Sequence, residues 1–84
     1  MKTEELLADR QTTHGDFTIH AMITQDLKSV MCKHAKGWAD LSDVQREALE
    51  MIVHKIGRII AGNPDHKDHW DDIAGYAKLV SERL

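Results

Sequence analysis

The sequence predicts an all-α fold, and three observations carry that prediction. No segment alternates apolar and polar residues with the period of two that a half-buried strand requires. Helix-forming residues dominate, and the single proline, Pro64, stands between segments. Apolar residues recur instead at the three- and four-residue spacing of a helix face. At 84 residues the chain suffices for one small domain, 1–84, with a modest core. The expected architecture is three main helices plus a short N-terminal helix, completed by oligomerisation, with a homodimer favoured.

The first helix is expected over 3–10. Thr3 is placed to cap it, and Glu4 and Glu5 suit the positive end of its dipole. The stretch 11-QTTHGD-16 reads as a break around Gly15. The second helix is expected over 16–35, with Ile19, Ile23, Leu27, Val30 and Met31 on one stripe and Gly37 beyond its end. The third is expected over 42–62. Ser42 and Gln45 have capping-box spacing, and Gly62 followed by Pro64 is a stop signal. Its apolar arc, including Ala48, Met51, Ile52, Ile56, Ile59 and Ile60, is too wide for a simple surface helix and suggests a central helix, or one buried by both its own domain and a partner. The fourth is expected over 64–83, with Pro64 at its first position and Trp70, Ile73, Ala77, Val80 and Leu84 as its apolar stripe.

Charge and composition narrow the function. Net charge is -3, and the basic stripe of a nucleic-acid binder is missing, so a nucleic-acid partner is not expected. No apolar run approaches bilayer-spanning length, and the acidic start MKTEELLADR does not read as a signal peptide. A cytoplasmic location without a membrane partner is the expectation. One cysteine, Cys32, rules out an internal disulfide and a cysteine-rich zinc site. A nucleophile elbow and a glycine-rich phosphate loop are both missing.

Charged residues inside apolar stripes are informative, because burial of an unpaired charge is costly. Lys55 points into the central helix's apolar arc. It either snorkels to the rim or pairs with a carboxylate of another helix. His20 sits on the second helix's stripe with Asp16 four residues before it, as a core histidine or a functional one. Glu47, Glu50, His54 and Arg58 read as an ion-paired surface. Asp68 and Asp72, four apart, repel unless a divalent cation or a basic side chain lies between them. Gly57 and Gly75 each cost a helix roughly 1 kcal/mol, which suggests close approach by another backbone or a ligand.

Three elements, 10-RQTTHGD-16, 55-KIGR-58 and 68-DHWDDIAGY-76, carry a resemblance. The chain resembles a small all-α family of unknown function common in phages and prophages. That family is distantly similar to the MazG-like all-α nucleoside triphosphate pyrophosphohydrolases. Those enzymes hold Mg²⁺ and nucleotide phosphates on an ExxE and an ExxD motif. Glu47 and Glu50 match the first spacing. Asp72 matches the second motif's Asp, while Asp68 is one position out of register and His69 is in register. The resemblance implies metal ligation, by Mg²⁺ or Mn²⁺, through Glu47, Glu50, Asp68 and Asp72. It implies phosphate contacts from Lys55, Arg58 and Arg10. His14, with Gly15 and Asp16, would close over the site, and Tyr76 would stack a base. Two readings follow: a metal-dependent pyrophosphohydrolase or nucleotide binder, or a non-enzymatic phage accessory protein whose helical dimer binds a host protein or a nucleotide.

Overall fold

The computed structural model describes residues 2–84 and is helical throughout, with no strand among them. Five helices follow one another: α1 Thr3–His14, α2 Phe17–Lys33, α3 Ala35–Ala39, α4 Asp43–Ala61 and α5 Lys67–Ser81. Helix α4 is the centre, as its wide apolar arc predicts. It packs against α5 on one side and α2 on the other, and α1 lies across α2 and α4.

Local signals explain most boundaries. At α4, Ser42 and Gln45 form the expected capping box, with reciprocal bonds of 3.1 and 2.9 Å. At α1 the cap is Lys2 rather than Thr3; its backbone N–H donates to the Glu5 carboxylate at 3.4 Å. Helix α1 also runs four residues further than expected. The Thr12 and Thr13 hydroxyls donate back to the Asp9 and Arg10 carbonyls, so these threonines are accommodated in the last turn. The break shrinks to Gly15 and Asp16, with Gly15 at φ 83°, a conformation that favours glycine. Beyond α2, Gly37 lies inside the short α3 instead of terminating a helix.

Pro64 does not open α5. Asn63 accepts the Asp65 N–H at 2.9 Å in an Asx turn, which holds 63–66 out of the helix, and α5 starts at Lys67. The stripe of α5 is rotated from the one expected. His69 is almost fully buried, and Asp72, Ile73 and Tyr76 share its side. Trp70, expected in the core, is 54% exposed, with its indole N–H donated to the Pro64 carbonyl at 2.7 Å. Ala77 is exposed as well. On the side turned inward, His69 meets a carbonyl of α1 and Asp72 the Lys55 ammonium of α4.

The two interior glycines differ. A Cβ at Gly57 would sit 2.6 Å from Thr24 Cγ2 and 3.0 Å from His20 Nδ1, so this glycine exists to let α2 approach α4. A Cβ at Gly75 would meet nothing within 4 Å, so the close approach expected there is not made. Gly57→Ala is therefore expected to cost about 1–3 kcal/mol by overpacking. Gly75→Ala should add about 0.5–1 kcal/mol by helix propensity. Urea denaturation of the two variants beside the parent checks both signs.

Candidate functional site

The α1–α2 turn is pinned to the α4–α5 turn by backbone. The Thr13 carbonyl accepts the Asn63 N–H at 3.1 Å and the His69 imidazole Nε2–H at 2.9 Å. Gly62 and Gly15 lie so close that a Cβ on either would overlap the opposite backbone. This junction lays the last turns of α1 beside the C-terminal half of α4. Between α1, the turn, the start of α2 and α4 opens a cleft of about 470 Å³.

Five of the residues singled out from the sequence line this cleft: Arg10, His14, Asp16, His20 and Arg58. Arg10 and His14 are four apart on α1, and His54 and Arg58 are four apart on α4, so each helix presents one arginine and one imidazole. Leu7 and Phe17 supply an apolar rim, with Phe17 77% exposed and its ring stacked on His20 at 6.1 Å. Neither Arg10 nor Arg58 forms an ion pair among the described residues.

His54 was expected on an ion-paired surface with Glu50. It turns instead toward α2, where its Nδ1 lies 3.3 Å from His20 Nε2. The rings meet edge-on at 4.6 Å. His20 Nδ1 is buried over Gly57 without a hydrogen-bond partner. One ring of the His20–His54 pair donates to the other, and the tautomers set the direction. The signal for His54 was in the sequence: it stands four residues before Arg58.

Burial, then the Arg58 charge, lowers His14 and His54 from 6.5 to about 4, and the same two causes lower His20. All three imidazoles are neutral at pH 7. Burial, then the facing Arg10, lowers Arg58 from its ordinary value. The cleft's positive charge thus resides in two guanidiniums held near each other, an arrangement relieved by an anion between them.

Lys55, expected as a phosphate contact, does not line the cleft. It is buried between α4 and α5 and pairs with Asp72 at 2.8 Å, so the second of its two expected arrangements holds. The hydrogen bond from Lys55 holds the Asp72 carboxyl below its ordinary value. The four carboxylates Glu47, Glu50, Asp68 and Asp72 are not brought together. Asp72 is committed to Lys55, and Asp68 is exposed, 3.9 Å from His66. Glu50 lies five residues before Lys55 and so about 140° around α4 from the side that faces α5. Among the described residues no three His, Cys, Asp or Glu side chains form a metal-holding group. Tyr76 and Gly75 border a separate shallow depression with Asp71 and Asp72.

Replacing Lys55 and Asp72 should have unequal effects. Asp72→Ala leaves a buried ammonium unpaired and is expected to lower Tm clearly, whereas Lys55→Met fills the same space without charge and should melt near the parent. Asp68→Ala, on the exposed side, should leave Tm unchanged. The histidines predict a pH effect. The unfolded chain takes up protons as pH falls through 6.5, while His14 and His54 in the fold resist until about 4. Their contribution is full above 6.5 and lost progressively toward 4; the lowered Asp72 adds a further loss only below its ordinary 3.8. Melting curves across this window should show falling Tm, with a shallower fall in His54→Gln.

No curated protein and no solved structure is significantly similar to the chain. Residues 2–84 match the family described as Domain of unknown function (DUF6378), and the chain belongs to that family.

Proposed function

We propose that the cleft binds the phosphate chain of a nucleotide between Arg10 and Arg58. The observation that carries this reading is the convergence on one cavity of two guanidiniums from different helices, neither in an ion pair among the described residues. Planar guanidiniums suit phosphate oxygens, and desolvation at Arg58 strengthens its pairing with an anion. Leu7 and the exposed Phe17 ring offer an apolar surface for a base. The neutral imidazoles add donors and acceptors that hold no competing charge.

In the enzymatic form of this reading the protein is a MazG-like pyrophosphohydrolase, yielding a nucleoside monophosphate and pyrophosphate. Mg²⁺ or Mn²⁺ would enter with the phosphates, which supply much of its oxygen coordination. A neutral cleft imidazole would accept the proton of the attacking water. The non-enzymatic reading, a phage-type accessory protein that binds a nucleotide or a host protein, is favoured by the Lys55–Asp72 pair, which diverts one expected ligand to a structural role.

Calorimetric titration with nucleoside triphosphates and with pyrophosphate tests the cleft. Arg10→Ala and Arg58→Ala should each weaken binding by about 10–100-fold, the worth of a charge-assisted hydrogen bond. Affinity should rise as pH falls from 7 toward 5, because a bound anion raises the imidazole pKa values and protons are taken up; buffers of different ionisation enthalpy reveal that uptake. Release of pyrophosphate with Mg²⁺ or Mn²⁺ separates turnover from binding alone. Failure of every nucleotide and of pyrophosphate to bind the parent protein would sink the reading.

A further inference from the structure

The side of the helical layer opposite the cleft is apolar and uncovered. On α4, Leu49 and Ile60 lie about 180° and 160° from Arg58 at about 100° per residue, so they point away from the cleft. They fall between the side that carries Gly57 against α2 and the side that carries Lys55 against α5. Helices α2 and α5 both run antiparallel to α4: Gly15 at the start of α2 meets Ala61, and Lys55 and Thr13 meet Asp72 and His69. In such a layer, residues displaced in the same rotational sense from a shared contact emerge on the same side. Ile19 and Val30 of α2, displaced from His20 and Thr24, therefore join Leu49 and Ile60. Trp70 of α5, displaced from His69 and Tyr76, joins them from the far edge. All five are exposed, Val30 by 60% and Ile60 by 64%.

The amounts fit a second copy of this chain. A folded monomer of 9.6 kDa should expose about 5,100 Å². This chain exposes 6081 Å², an excess of about 1,000 Å², and a standard interface buries about 800 Å² from each partner. Its radius of gyration is 14.4 Å, where about 12 Å is expected for this length. Helix α1, which buries no residue, accounts for part of both excesses. The hydrophobic residues buried in the described part of the single chain are only Ala48 and Val53. A layer with so little enclosed apolar volume lacks the second layer on which a domain is built.

We infer that two copies of this chain pack face to face through Ile19, Val30, Leu49, Ile60 and Trp70, each layer serving as the other's core, with both clefts left open on the outside. The inference stands on different residues from the phosphate cleft and does not depend on it. Sedimentation equilibrium across a wide concentration range should give twice the 9.6 kDa chain mass. Val30→Glu and Ile60→Glu should shift the protein to the monomer mass, with helix content followed by circular dichroism. Leu79→Glu, exposed on the other side of α5, should leave the dimer intact. In the parent, binding of pyrophosphate should leave the mass unchanged. A parent that stays monomeric throughout overturns the inference, as does a dimer that survives both glutamates or dissociates with Leu79→Glu. A monomer that instead floats with neutral phospholipid vesicles would assign the face to a lipid surface and overturn it equally.

Discussion

The arrangement rests on one carbonyl. Thr13 O accepts two hydrogen bonds, from the Asn63 N–H and the His69 Nε2–H, and so ties the end of α1 to the turn before α5 and to α5 itself. A carbonyl has two lone pairs, and here both are used inside the protein. Gly15 and Gly62 make the contact possible, because any Cβ at either position would occupy the space of the opposite backbone. The geometry of the cleft follows. The junction lays α1 along the C-terminal half of α4, and that placement alone brings Arg10 and His14 opposite His54 and Arg58.

Helix α4 meets each of its two main neighbours through buried polar contacts as well as apolar ones. Toward α2 the contact is Gly57 beneath His20 and Thr24; toward α5 it is Lys55 on Asp72. Buried polar groups of this kind contribute little net stability, but each one misplaced is costly, so they fix register. Burial keeps the cleft imidazoles uncharged while the two arginines stay charged. The fold thereby presents guanidiniums to the cleft without surrounding them with further cations. The apolar surface that such a layer would normally enclose remains on the opposite side.

Much of the fold was legible in the sequence. Period and composition give the helices, Ser42 and Gln45 cap α4, and the width of the α4 arc marks it as central. Boundaries set by side-chain bonds to nearby backbone were harder to read. Thr12 and Thr13 extend α1 through such bonds, and Asn63 delays α5. The rotation of α5 escaped for a different reason. Apolar periodicity assigns Trp70 inward and cannot register that His69 and Asp72 have partners on other helices worth turning toward.

The candidate site divides along the same line. Arg10, His14, Asp16, His20 and Arg58 were each marked by local features or by the resemblance, and the fold gathers them. Glu47, Glu50, Asp68 and Asp72 were marked as metal ligands by the resemblance, and the fold leaves them dispersed. Spacing within one helix fixes which residues share a side, because the backbone repeat is local. It does not fix which sides of two helices meet, since that depends on backbone contacts between residues some fifty positions apart, such as Thr13 with Asn63. The sequence by itself thus determined the helices, the central place of α4 and the chemical types available to a site. Only the tertiary structure decided that Lys55 serves Asp72, that His54 faces His20, and that the arginines rather than the carboxylates converge.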